Sequence, residues 1–424
     1  MIIVLLISLL VLFFIGVPVA ISLGLSTSIA IIVAGDIPLL TLAQRAFVSL
    51  DSFPLLAIPL FVLAGVMMEY GGISQRLINL ANAITGHLTG GLAVVTVVTT
   101  MFFAAISGSS VAATAALGAI LVPAMISRGY EKEFSGGVQA VSGTLGIIIP
   151  PSIPLILYGT AVGASIGDLF IAGMVPGIII GIGLITTVYI IAKKRNYSKE
   201  EKKSGKEIGE AFVKAVPALI MPVIILGGIY SGVFTATEAA GVAVAYAIIV
   251  GVFVYKTITF AKIRTILSQA SVTTATIMLI LAAAGLFSWI LTIENVPQQV
   301  ASVITSISEN PLVFLSIVVL LLLLVGMFME TNASIIILAP ILVPVASELG
   351  IDPVHFGIVM IVTLAVGMVT PPLGLNLFVV SKIANLRMDR LTVSLIPFYI
   401  AILICLFIVT FIPSLTMTVV EWMK

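Results

Sequence analysis

Long apolar stretches separated by short polar loops run along almost the whole chain. Residues 2–34 are apolar but broken at Gly16-Val17-Pro18, which predicts two short spans. One span is expected over 54–70. An apolar pair over 92–127 is interrupted by Ser107-Gly108-Ser109-Ser110, and a span over 137–157 by Pro150-Pro151. Residues 169–192 follow, then a polar linker over 193–214. Further spans are expected over 215–230, 238–255 and 272–292. A second interrupted pair covers 312–348, with Glu330-Thr331-Asn332 in its middle, and a second proline-broken span covers 356–379 around Pro371-Pro372. The last lies at about 391–412. The stretches run to helical lengths without strict alternation, so the expected fold class is all-α, a polytopic membrane helical bundle and not a barrel.

Composition agrees. The 424 residues hold only 19 basic and 18 acidic side chains, and 60% are hydrophobic. No soluble domain needs so much apolar side chain. A span takes about 20 apolar residues, so there is room for roughly a dozen passes. The net charge of +1 leaves no nucleic-acid footprint. One cysteine, Cys405, excludes a disulfide framework, and two histidines, His87 and His355, are expected at loop edges rather than in a metal centre. The apolar start reads as a retained helix, since it lacks a basic n-region and a small-residue cleavage site. No ATP-binding G-x-x-x-x-G-K-[ST] and no H-E-x-x-H occurs. An intramembrane hydrolase would need a base beside a serine, and no histidine or lysine falls in a span centre.

The linker carries Lys193, Lys194, Arg195, Lys199, Lys202, Lys203, Lys206 and Lys214, which places it in the cytoplasm. If each interrupted pair is a re-entrant hairpin, all 19 basic residues except Arg45 and Lys424 fall on cytoplasmic loops. A shift of 221 positions, from Pro123 to Pro344, then aligns the two halves. Gly129 meets Gly350, Gly136 meets Gly357, Gly146 meets Gly367, Ser110 meets Thr331, and Pro150-Pro151 meets Pro371-Pro372. The charges do not match: Arg128 and Lys132 meet Leu349 and Pro353, while Lys382, Arg387 and Arg390 meet Ala161, Ile166 and Leu169. A loop basic in one copy only predicts an inverted-topology repeat, residues 1–192 against 215–424. Such repeats build secondary transporters with a midplane site between broken helices.

A helix broken inside a membrane leaves backbone groups that must be buried in protein, watered or bound to an ion. Carbonyls and hydroxyls suit an alkali cation, and N–H groups at half-helix N-termini suit a carboxylate. The first break set is Ser107, Gly108, Ser109 and Ser110, facing Gly143-Thr144-Leu145-Gly146 and Pro150-Pro151. The second is Glu330, Thr331, Asn332, Ala333 and Ser334, facing Gly367 to Pro372 and Gly374, with Asn376 one turn on. Two equivalent sets point to two cation sites with one substrate site between them. Close helix packing is the competing reading of a Ser/Gly cluster. Glu330 is either a functional carboxylate or a capping one. Glu69 and Glu294 are expected to be solvated at span ends, and Glu238 to cap a helix. Trp289 and Trp422 are expected as interfacial anchors.

The stretches SLDSFPLLAIPLFVLAGVMM (49–68), SGSSVAATAALGAILVPAM (107–125), GTLGIIIPPSIPLILYGTAVGASIGDLFIAGMVPG (143–177), GVFTATEAAGVAVAYA (232–247), METNASIIILAPILVPVASELGIDPVHFGIVM (329–360) and TPPLGLNLFVVS (370–381) resemble the large membrane subunit of tripartite ATP-independent periplasmic (TRAP) transporters. The resemblance covers nearly the whole chain apart from the linker and both ends. It implies sodium-driven import of organic acids, such as sialic acid, other sugar acids or C4-dicarboxylates, across a bacterial inner membrane by an elevator movement. It also implies a small four-helix membrane subunit, expected as a separate chain, and a soluble periplasmic binding protein. Carried onto this sequence, one sodium would bind at Ser107, Gly108, Ser109 and Ser110 with the Gly143–Gly146 bend. A second would bind at Glu330, Thr331 and Asn332 with the bend of Ala365, Gly367, Met368 and Thr370. The substrate carboxylate would rest near Ser110, Pro151, Thr331, Asn332 and Asn376. A binding-protein-independent dicarboxylate symporter and a non-transporting scaffold subunit are the other readings.

Overall fold

The structure is a computed structural model and describes residues 1–424 apart from Asp36, Ser198, Glu200, Ser308 and Lys424. The expected placement of Lys424 outside the basic loops therefore lies outside the described residues. These residues fold into helices, with no strand among them. Among the described residues nine helices are long and apolar enough to cross a membrane, ten if Met388–Ser394 and Ile396–Phe411, bent by 57°, count as one span. The chain is thus a multi-pass membrane bundle. Further apolar helices of 10–17 residues fall short of that length, among them Gly91–Ser107, Pro353–Gly367 and Leu375–Ala384.

The first interrupted pair is Gly91–Ser107 and Ser110–Ser127; the second is Pro311–Phe328 and Thr331–Glu348. The first broken span runs through Lys132–Gly143, Leu145–Ile148 and Ile153–Val162, with a cis peptide between Pro150 and Pro151. The second runs through Pro353–Gly367 and Leu375–Ala384, with a cis peptide between Pro371 and Pro372. The two halves interlock. Ser110–Ser127 packs between Lys132–Gly143 of its own half and Leu375–Ala384 of the other, while Thr331–Glu348 packs between Pro353–Gly367 and Ile153–Val162. The aligned glycines explain how the elements come so close. A Cβ on Gly136 would stand 2.9 Å from Val380, and one on Gly357 would stand 2.4 Å from the Tyr158 ring. Tyr158 also donates from its hydroxyl to the carbonyl of Pro353 at 2.6 Å.

These elements form the densest part of the molecule. The apolar stretch within Lys132–Val162 is wholly buried. The fully buried aromatic rings, Phe103, Phe134, Tyr158, Phe170, Phe314, Phe356 and Phe398, all lie in the hairpins, the broken spans, Ile166–Lys194 or Ile396–Phe411. A second group surrounds one side of them. Ala57–Tyr70 packs on Ala236–Ile248 and on Phe260–Ile293, and Phe260–Ile293 also carries Val19–Ala34 and Leu40–Leu50. This group exposes Phe47, Leu279 and Phe260, apolar side chains that suit lipid or a membrane partner.

Four helices fall outside the expected spans: Leu40–Leu50, Ile73–Thr85, Val296–Ile307 and Ser414–Met423. Ile73–Thr85 shows why. It buries Ile73, Leu77, Leu80 and Ala81 at helical spacing and presents Gln75 and Asn79 outward, so its average hydropathy is low while its pattern is strong. The linker is shorter than 193–214. Lys193 and Lys194 complete Ile166–Lys194, and Gly205–Tyr230 begins within the basic run. Ser204 caps that helix with Glu207 in a reciprocal pair, Ser204 N–H to Glu207 Oε2 at 2.8 Å and Glu207 N–H to Ser204 Oγ at 3.3 Å. Glu238 caps Ala236–Ile248 with Thr235 in the same way, as its position implies. Trp289 lies under the Arg45 guanidinium, 4.8 Å from the ring centre. His355 lies in the first turn of Pro353–Gly367 and is buried there, with Nδ1 2.8 Å from Thr416 Oγ1 and Nε2 3.2 Å from the Thr410 carbonyl.

Candidate functional site

Both interruptions bring a helix N-terminus into the interior. At the first, Gly108 turns the chain with φ of +58° and Ser109 caps Ser110–Ser127, its Oγ accepting from Ala112 N–H at 3.4 Å. The turn leans on the first broken span, where Ile153 N–H donates to the Gly108 carbonyl at 3.3 Å. Gly146 allows this approach, since a Cβ there would stand 2.6 Å from the Ser109 carbonyl oxygen. Ser152 returns its hydroxyl to the Ile147 carbonyl at 2.6 Å, occupying one acceptor freed by the break.

At the second, Glu330 is the residue before Thr331–Glu348. Its carboxylate accepts from Asn332 Nδ2, and its carbonyl accepts from Ser334 Oγ at 3.0 Å. Thr331 Oγ1 and Asn332 Oδ1 are buried and have no hydrogen-bond partner. An orphaned buried oxygen costs about 1–3 kcal/mol. These two lie at the hairpin tip, on residues that line the cavity described next. They are hard oxygen donors, matched to a cation such as sodium. Gly367 approaches from the second broken span, where a Cβ would stand 2.5 Å from Gly326. Tyr399 donates to the carbonyl of Val369, and Thr370 to that of Val366 at 2.8 Å.

Between the tips lies a cavity of about 350 Å³. Ser107, Gly108, Ser109 and Ser110 line it from one side, and Glu330, Thr331, Asn332 and Met368 from the other. The structure thus gathers the two tips onto one space. Gly143, Gly146, Ala365, Gly367 and Thr370 stand behind that surface, as does Asn376, which is fully buried against Ser110. Pro151 lines only a crevice beside Gly108, and Ile147, Ile153 and Pro154 take its place on the cavity wall.

The remaining wall comes from elements that sequence reading did not connect with the site. Ala57–Tyr70 contributes Gly65 and Glu69, and Phe260–Ile293 contributes Gln269, Thr273 and Thr276. Glu69, expected to be a solvated span end, instead faces the cavity. The three polar residues of the long helix recur at i, i+4 and i+7 and so share one face, but Ser268, Ser271 and Thr274 beside them blur that pattern in the sequence. A separate opening further along the helix shares Gln269 and Thr273 with the cavity and is otherwise lined by Val272, Ser268, Thr265 and Arg264. The cavity wall carries two carboxylates, Glu69 and Glu330, and no lysine, arginine or histidine.

The fold is a multi-pass helical bundle with a polar-lined cavity between two hairpin tips, the architecture of a membrane permease. The sequence matches the profile of the tripartite ATP-independent periplasmic transporter, DctM component, over residues 6–415. The chain belongs to this family. It is 44% identical over 404 residues to the isethionate TRAP transporter permease protein DctMQ of Oleidesulfovibrio alaskensis, covering 95% of this chain and 64% of that protein's length. It is 43% identical to the C4-dicarboxylate TRAP transporter large permease protein DctM of Pseudomonas aeruginosa, covering 95% and 94% of the two chains. It is 40% identical to the sialic acid TRAP transporter large permease protein SiaM of Vibrio cholerae, covering 97% and 96%. The fold is similar to that of the Alcanivorax borkumensis YdaH transporter, with a TM-score of 0.60 at 15% identity, over 87% of this chain and 86% of the other.

Proposed function

We propose that the chain is the permease through which a small organic acid anion enters the cell, drawn inward by co-bound sodium ions. The observation that carries this reading is the charge of the cavity: two carboxylates, no basic side chain, and two buried oxygens without partners. An anion held there needs cations beside it. The N-termini of Ser110–Ser127 and Thr331–Glu348 supply N–H groups for the acid, while the two tips with their facing bends supply oxygens for sodium. Moving a monoanion into a negative interior costs about 2.3 kcal/mol per 100 mV, and two or more sodium ions reverse the sign of that term.

In this reading the hairpins and broken spans move as one body against Ala57–Tyr70, Gly205–Tyr230, Ala236–Ile248 and Phe260–Ile293. The two halves are inverted repeats, the basic loops lie in the cytoplasm, and the membrane is the bacterial inner membrane. The partners in this reading are a small membrane subunit and a soluble periplasmic binding protein, which suits a family described as tripartite and periplasmic and a relative called a large permease protein. Ser110 Oγ is bonded to an amide and to no base, which favours transport over a hydrolase.

The test uses proteoliposomes holding the chain with its small subunit. Uptake of labelled sialic acid, a C4-dicarboxylate and isethionate is followed with and without a sodium gradient and binding protein. Uptake that requires both, and that carries net positive charge inward, is expected. Uptake indifferent to sodium overturns the reading.

A further inference from the structure

Asn376 belongs by sequence to the second break, but its side chain lies in the first. Its Nδ2 donates to Ser110 Oγ at 2.8 Å and to the Ala140 carbonyl at 3.0 Å, and its Oδ1 accepts from the Ser110 hydroxyl at 3.1 Å. Its backbone N–H donates to the carbonyl of Met368 at 3.1 Å, in the unwound bend that faces the Glu330–Asn332 tip. One residue thus holds an N-terminal hydroxyl of one tip and a carbonyl of the opposite bend, and it is fully buried while doing so. The contact is enforced from both sides. Gly143 leaves room for the amide, as a Cβ there would stand 3.1 Å from Nδ2. Gly374, with φ of +57°, starts the short helix two residues before Asn376 and fixes where its side chain enters.

We propose that Asn376 is the positioning residue that couples the two break sites, so that a cation ordering one tip prepares the other. The proposal rests on the two-cation reading above. The physical route is short. An ion drawing on the Ser110 region pulls on the Asn376 amide. The amide is rigidly joined to a backbone N–H that orients the Met368 carbonyl, one wall of the second site. Beyond the cavity that both tips line, this bonded route joins the two sites, so ordering one favours the other, and linkage requires the effect to act in both directions. The amide is suited to this, because it donates and accepts at once and carries no charge that would compete with the ions.

No equivalent residue completes the reverse route by sequence. The position matching Asn376 under the 221-residue shift is Leu155, an apolar residue. The coupling device is therefore single and asymmetric, and removing it should leave two independent sites.

The full-length chain in detergent is titrated with sodium chloride against choline chloride at constant ionic strength. Thermal unfolding midpoint and radiolabelled sodium binding are the readouts. The unaltered chain should give a Hill coefficient clearly above 1 and up to 2, the limit for two sites, and Asn376→Ala and Asn376→Leu should each bring it to about 1. A merely structural asparagine would lower the unfolding midpoint at every sodium concentration without changing the steepness, and that result overturns the proposal. A wild-type Hill coefficient of 1 overturns it also, while leaving sodium binding itself intact. Absence of any sodium-specific response removes the cation reading together with the coupling. If both variants fail to fold, amide exchange in the unaltered chain decides. Protection over residues 107–112 and 366–377 that rises at one common sodium midpoint supports the link, and two separate midpoints overturn it.

Discussion

At the scale of single residues, the cavity is defined by groups that lack something. Thr331 Oγ1 and Asn332 Oδ1 lack partners, and Glu69 and Glu330 lack counter-charges on the cavity wall. Replacing Thr331 by valine keeps the shape and removes an orphaned oxygen. Thr331→Val should therefore raise stability in sodium-free buffer by about 1 kcal/mol, the low end of what an unpaired buried group costs. The same variant should weaken sodium binding, so the two unfolding curves, with and without sodium, should move towards each other. Glu69 acts differently. It sits on the wall outside the hairpins, where its charge opposes an anion resting between the tips. Glu69→Gln should make the anion leave more slowly, lowering apparent KM and maximal uptake together by roughly threefold to tenfold, the scale of one screened charge at short range. Counterflow of labelled substrate measures both quantities.

At the scale of elements, two hairpins and two broken spans read directly from the chain because their breaks are made of Gly, Pro and Ser in uninterrupted apolar runs. The flanking helices read less well. Ile73–Thr85 and Leu40–Leu50 are amphipathic, and an average over hydropathy erases the pattern that defines them. The site was half legible for a related reason. Ser107–Ser110 and Glu330–Asn332 announced themselves as polar groups at depth, whereas Gln269, Thr273 and Thr276 matter only because tertiary packing turns their stripe towards the tips. Asn376 shows the limit: its position near Pro371-Pro372 was plain, but nothing local says that its amide reaches Ser110, 266 positions away in the chain. The interlock also gives an element-scale expectation. Gly357→Ala drives a methyl into the Tyr158 ring and should cost about 1–3 kcal/mol, as overpacked cores do. Combining it with Tyr158→Leu should recover part of that loss, a non-additivity that thermal unfolding of the four chains resolves.

At the scale of the whole molecule, the equivalence of Arg128 and Leu349 carries the topology. They align under the repeat, and each follows the second arm of its hairpin. If the halves are inverted, Arg128→Cys should react with a membrane-impermeant thiol reagent only after the membrane is opened, and Leu349→Cys should react in intact cells. The native chain helps this measurement, since its single cysteine, Cys405, is buried. Labelling of both from one side would remove the inverted arrangement.

The reciprocal packing of the two halves has a consequence for how the chain can be supplied. Each hairpin's second arm is walled by a helix from the other half, so a half alone exposes a groove shaped for a missing neighbour. Between Tyr197 and Ser204, by contrast, the described residues Lys199, Glu201, Lys202 and Lys203 lie outside any helix and are exposed. A chain cut there should still assemble when both pieces are made in the same cell, and each piece made by itself should be degraded. The peptide link between the halves is then a convenience of synthesis, and the permease is in physical terms a heterodimer that happens to be encoded once.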